Sequence, residues 1–200
     1  MLLDIDHDHT RARALHATVT AALTRQRIAE AAVASGFREL SMSGVARELG
    51  VTHAALYRHV RDRDDLGYAA AEVVAQRLAW PPTDTDWETH VRDVCRLVRR
   101  TFDTHPGLYD EVARLGTVPS FTAHMHVTAE HLLACGLTPE HTMLTFEMMF
   151  HVVLDSTRLA AAEPAGEPAE IPEAMASVSI SFEQKLDVLI AGLRATFDAT

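Results

Sequence analysis

From Thr52 to Arg63 the chain reads THAALYRHVRDR. These twelve residues gather His53, Tyr57, Arg58, His59, Arg61 and Arg63. Guanidinium, imidazole and phenol groups donate hydrogen bonds, and the planar fork of arginine matches phosphate oxygens. No nucleophile, base and orienting acid are spaced here for covalent catalysis. The chemistry on offer is the grip of a polyanion, yet the 200-residue chain carries a formal net charge of −10.

The charge is unevenly placed. Between Thr24 and Arg63 seven arginines face four acidic residues, a net of +3, and from Leu66 onward nine basic residues face nineteen acidic ones. A polyanion responds to the local field within about 10 Å at moderate salt, so a basic head can work on an acidic body. At 48% hydrophobic and 23% charged residues the chain is globular rather than disordered. Its two cysteines, Cys95 and Cys135, form no disulfide framework and are expected to be reduced. The opening MLLDIDHDHTRAR lacks a basic start and an apolar run, so no signal peptide is expected. The most apolar stretch, Met143 to Leu154, is broken by Glu147 and His151 and is too short to span a bilayer. A soluble, cytoplasmic protein is expected.

Helices must position these groups, since no stretch alternates as a strand does. Ile28, Ala31, Ala32 and Ser35 form a helical stripe that Gly36 stops. Ser41 or Ser43 can cap a short helix ending at Leu49, Gly50 turns the chain, and Thr52 can cap a third helix through His59. A fourth runs from Asp64 to Leu78 with an acidic first turn. After the break at Pro81 and Pro82, Asp84 or Thr85 can start a helix whose apolar face is Trp87, Val91, Val94, Val98 and Phe102. Further helices are expected to end near Leu115, to cover 120–135, to open at Thr138-Pro139 and run to 162, and to span 178–197. The Pro/Glu/Ala segment 163–172 reads as a flexible linker.

Val45, Leu49, Val51 and Leu56, with the small Ala46 and the Gly50 turn, are spaced as the core of a helix-turn-helix. The N-terminal end of its second helix, Thr52 to Ala55, is the end that enters a DNA major groove in this motif. The chain resembles the TetR family of bacterial one-component repressors. The residues that carry the resemblance are TRQRIAEAA (24–32), GF (36–37) and VARELGVTHAALYRHVRDRDDL (45–66). In outline HPGL and LGTVP (105–119), CGL (135–137) and LDVLIAGLRA (186–195) follow the tetracycline-repressor branch.

The resemblance implies an all-α homodimer. An N-terminal extension (1–17) precedes a three-helix DNA-binding domain (18–65) and a larger helical ligand-binding and dimerisation domain (66–200). It implies that Tyr57, His59 and Arg63 hold phosphates and that His53, Ala54 and Ala55 face base edges, with Thr52, Arg58 and Arg61 beside them. Ser43 stands where that branch has a base-reading arginine, so the operator is expected to differ. The branch's magnesium-binding histidine falls on Arg114 and its drug-contacting asparagine on Val94, so no metal requirement is expected. An effector pocket is expected between Trp87, Val94, Val98, Phe102, Arg114, Thr128 and Phe146; an inward Arg114 would favour an anionic or carbonyl-rich ligand.

Other readings are weaker. His124, His126 and His131 invite a metal, but His126 leaves the face shared by the other two and no zinc motif is present. The set of Trp80, Trp87, Phe102, Phe121, Met125, Phe146 and their neighbours can be plain core or the lining of an effector pocket. A helical enzyme, or an adaptor with an apolar pocket, is the alternative, but no catalytic signature supports an enzyme, and no catalytic residue or cofactor is expected. The broad apolar face of Phe182, Leu186, Leu189, Ile190 and Leu193 is expected to meet a second copy. The partners expected are therefore an inverted-repeat double-stranded DNA operator, a small, largely apolar effector and a second copy of the chain, with no membrane.

Overall fold

The computed structural model describes residues 23–161 and 180–198. The extension 1–17, residues 18–22 of the head and the linker 163–172 lie outside the described residues. Among those described there are nine helices and no strand. None of these helices is long and apolar enough to cross a membrane.

Local chemistry sets the helix starts. Helix α1 (Arg25–Ser35) begins where Thr24 Oγ1 accepts from Arg27 N, and ends at Gly36, whose φ is 82°. Helix α2 (Met42–Leu49) is capped by Ser41, whose Oγ accepts from Gly44 N at 3.1 Å. Helix α3 (His53–Leu56) is one turn long, shorter than the expected run to His59; a turn carries the chain through Tyr57, Arg58 and His59. Helix α4 (Arg63–Gln76) is capped by Asp62, which accepts from Asp65 N at 2.8 Å. Helix α5 (Trp87–Thr104) starts from Asp86 rather than Asp84 or Thr85, because the Asp86 carboxylate reaches both Thr89 N and Thr89 Oγ1. Helices α6 (Leu108–Leu115), α7 (Pro119–Ala134), α8 (Pro139–Ala161) and α9 (Phe182–Asp198) follow. Pro119 starts α7 one residue early, since a first-turn proline gives up no bonded N–H.

Two large apolar cores form, beside a small cluster of Ala29, Ala69 and Val73 between α1 and α4. The first joins α1, α2, α3 and α4 through Ile28, Val45, Leu56, Leu66 and a set of alanines. Leu108, the first residue of α6, and Val118, just before α7, belong to it too, so packing runs without a break across residue 66. The second joins α5, α7, α8 and α9 through Val91, Val94, Leu132, Met149, Leu186 and Ile190.

Helix α9 corrects an expectation. Leu186, Leu189, Ile190 and Leu193 are buried against their own chain, Leu186 completely, and Phe182 is half-buried against the same core. Each such side chain contributes about 1.5–3 kcal/mol by leaving water, enough to hold α9 without a second copy. The ion pairs of Arg92 with Asp187, Arg96 with Glu183 and Arg194 with Glu88 are solvent-exposed and add little. On the outer face of α9 stand Val188, Ala191, Gly192 and Ala195, and on that of α8 stand Met143 and Phe150.

Candidate nucleic-acid interface and effector region

Gly50 closes α2 in the left-handed region (φ 65°, ψ 30°), and Val51 N donates to Ala46 O at 3.0 Å. This turn sets the angle between α2 and α3. Thr52 Oγ1 accepts from Ala55 N at 3.2 Å, which orients the start of α3 outward while Leu56 is wholly buried. The residues left on the surface are Ser43, Thr52, His53, Ala54, Tyr57, Arg58 and Arg61; Ala55, His59 and Arg63 are half-buried. The rings of His53 and Tyr57 meet edge to face, with centroids 5.1 Å apart.

One buried carboxylate braces this surface from behind. Arg25 forks onto Asp65, Nη1 to Oδ2 at 2.9 Å and Nη2 to Oδ1 at 2.6 Å, and Arg25 Nη1 also donates to His59 O at 2.9 Å. Arg61 N donates to Asp65 Oδ2 at 2.8 Å. The Arg25 hydrogen bonds hold the Asp65 carboxyl far below the ordinary carboxylate range, against the opposing effect of burial. Asp65 therefore ties α1, the turn after α3 and α4 into one body.

Arg63 is engaged on the other side. Its Nη1 lies 2.5 Å from Glu111 Oε2 on α6, and Glu111 is 5% exposed. Arg114 does not join the expected effector pocket. Its Nη1 is 2.6 Å from Asp64 Oδ1 and its Nη2 is 2.9 Å from Glu111 Oε2, so it faces α4 as a half-exposed ion pair.

The other residues expected around an effector do share one region. Val94 and Thr128 are buried, and Trp87, Val98, Phe102 and Phe146 pack partly buried around the second core. His90, 2% exposed, supplies its polar centre: Nδ1 is 3.0 Å from Pro82 O and Nε2 is 3.2 Å from Thr128 Oγ1. Burial pushes the His90 imidazole below its ordinary range. His131 packs on it with ring centroids 4.6 Å apart, and Cys135 Sγ lies 3.6 Å from His131 Nε2. His124 stacks on Trp80 at 4.4 Å, and burial lowers its pKa as well. Among the described residues no group of three or more His, Cys, Asp or Glu is arranged to hold a metal ion.

Residues 27–70 match the family model of bacterial regulatory proteins, tetR family. This is a TetR-family head. No curated protein matches the chain in sequence. Among solved structures, apo ActR from Streptomyces coelicolor is similar at 26% identity and TM-score 0.75, over 90% of this chain and 99% of that one. A single-substitution variant of TetR from Acinetobacter baumannii AYE, in complex with minocycline, is similar at 24% identity and TM-score 0.69, over 89% and 96%. BioQ with its natural double-stranded DNA operator is similar at 23% identity and TM-score 0.66, over 87% and 99%. The last two likenesses show the fold alone: a TetR-family fold, with the helix-turn-helix head at the N-terminus and a helical body behind it.

Two residues of this chain were missed in the sequence. His90 stands three residues after Trp87 and four before Val94, on the face already seen as apolar, so helical spacing alone could have found it. Glu111 carries only part of such a signal: Arg114 follows it by three residues on the same helix, but Arg63 comes from α4 and only the fold brings it there.

Proposed function

We propose that the protein is a ligand-responsive transcriptional repressor. Its head, within residues 18–65, binds an inverted-repeat operator, and the body, residues 66–200 including the linker 163–172, dimerises and takes a small, largely apolar effector. The observation that carries this reading is the exposed start of α3 on a folded helix-turn-helix, with Tyr57, Arg58 and Arg61 on the surface around it. His53, Ala54 and Ala55 are assigned to base edges, with Thr52 and Ser43 beside them. Likeness to an operator complex and to a minocycline complex supports the same reading.

The second copy is assigned to the outer faces of α8 and α9. Met143 is 63% and Val188 74% exposed, Phe150 also lies open, and the small Ala191, Gly192 and Ala195 allow close approach. Trp87, Val94, Val98, Phe102, Thr128 and Phe146, with His90 in their midst, are assigned to the effector.

The test is recovery of bound duplexes from a random DNA pool, followed by anisotropy on the recovered sequence. Nanomolar binding to an inverted repeat, changed in base preference by His53→Ala, supports the reading. Equal weak binding to every sequence overturns it. Light scattering should give twice the chain mass, and Val188→Glu with Phe150→Lys should return it to one.

A further inference from the structure

The resemblance gives Arg63 to DNA phosphates, but the fold offers it another partner. Glu111 is a carboxylate buried on α6, and such a group persists in the interior only with charged or hydrogen-bonding partners. It has two: Arg63 Nη1 at 2.5 Å and Arg114 Nη2 at 2.9 Å, both on Oε2. Arg114 also holds Asp64 at 2.6 Å, so the first two residues of α4 are both bound to α6 in a set of two positive and two negative charges. Gly67 is a further part of the arrangement. A Cβ there would stand 2.5 Å from Glu111 Oε2 and 3.2 Å from Arg63 Nη1, so a larger residue one turn along α4 would make the carboxylate shift. Arg61, by contrast, is 85% exposed, and its guanidinium only grazes Asp65 at 3.6 Å.

We propose that Glu111 is a latch, a positioning residue that withdraws Arg63 from the phosphate-contacting set. This rests on the reading of the head as DNA-binding. Moving Arg63 to a phosphate exchanges one charge-assisted bond for another while leaving a buried carboxylate with half its partners. Arg63 therefore stays on Glu111 when DNA is bound. The latch makes α6, not a phosphate contact, the partner of Arg63.

The salt dependence of DNA binding tests this in the full-length protein, with fluorescent random-sequence duplex as the probe. Each phosphate contact contributes about 0.9 to the slope of log affinity against log salt, or about 3.5-fold between 50 and 200 mM salt. Arg58→Gln should lower the slope by about that amount. Arg63→Gln should leave it as in the wild type. Glu111→Gln should raise it by about 0.9, because Arg63 is freed, and the double variant Arg63→Gln/Glu111→Gln should show no rise. Gly67→Ala, which pushes the carboxylate away with no change of charge, should raise the slope as Glu111→Gln does. A slope lowered by Arg63→Gln, or left unmoved by both Glu111→Gln and Gly67→Ala, overturns the latch. If the wild type shows no binding to duplex at any salt, the DNA-binding reading fails instead. The latch is then judged by urea midpoints: Arg63→Gln and Glu111→Gln should cost no more together than the worse one alone, and additive losses overturn it.

Discussion

Head and body are packed on different principles. The core that the head shares with α4 and α6 includes six alanines, Ala31, Ala32, Ala46, Ala70, Ala71 and Ala75, which bring helix backbones close and leave little room for rearrangement. The body core is built of long side chains, Leu132, Leu137, Met149, Leu186 and Ile190, whose rotamers can adjust. Their buried polar groups differ in the same sense. Asp65 in the head is met by Arg25 on both oxygens and by Arg61 N. Outside the head Trp80 Nε1, Thr85 Oγ1 and Thr142 Oγ1 are buried with no hydrogen-bond partner among the described residues. A buried polar group without a partner costs about 1–3 kcal/mol. Asp65 is thus paired on both oxygens, whereas these three atoms have no partner among the described residues.

The contrast can be broken by four measurements. The largest effect is expected in the body, where Leu186→Ala should lose about 2–5 kcal/mol in urea unfolding, because long side chains leave a cavity when truncated. In the core that the head shares with α4 the damaging change is the reverse one. Ala70, fully buried, should not accept leucine, and Ala70→Leu should cost about 1–3 kcal/mol. A neutral Ala70→Leu would show that this core is not close-packed.

Acid should separate the two regions next. The folded state holds both His90 and Asp65 below their ordinary pKa values, so for each the unfolded chain binds the proton first. Stability contributed by each is present above its unfolded pKa and lost as pH falls. The loss linked to His90 should therefore begin near about pH 6.5, and that linked to Asp65 only below about pH 4. Both tryptophans, Trp80 and Trp87, lie outside the head, so their fluorescence follows the first loss. His90→Gln should flatten stability between about pH 7 and 5; an unchanged profile would remove His90 from the account.

The smallest effect is chemical. Cys135 is exposed, and Cys95 is buried with its thiol pushed up to about 12 by burial. A disulfide reagent at neutral pH should titrate one thiol in the native protein and two in denaturant. Two native thiols would mean that the body core opens on the time scale of the assay.

The head was legible because its signals are local. A cap, a glycine turn and apolar residues one helical turn apart lie within 25 residues of one another, and Ser41, Gly50 and Thr52 do what their types dictate. The third helix was overestimated because Tyr57 to His59 favour helix weakly and the turn there is held by Arg25, a residue 34 positions away. The body was legible in element order but not in the use of its faces. Leu186, Leu189, Ile190 and Leu193 show an apolar stripe, and periodicity cannot tell whether a stripe meets its own chain or another. Arg114 was placed by alignment with a pocket residue of a similar family. Its direction depends on Asp64 and Glu111, and only the arrangement of α4 against α6 brings those together.

The bonds of His90 carry a directional consequence. The Pro82 carbonyl can only accept, so the single proton of the neutral imidazole sits on Nδ1 and points at it. Nε2 is then a bare lone pair, and the Thr128 hydroxyl must spend its own proton there. The relay runs one way, from Thr128 through the imidazole to the Pro-Pro bend. A newcomer at Thr128 meets oxygen lone pairs only. A phenol or an alcohol can add a link to the upstream end of this relay, but an ether or a ketone finds nothing there to hold.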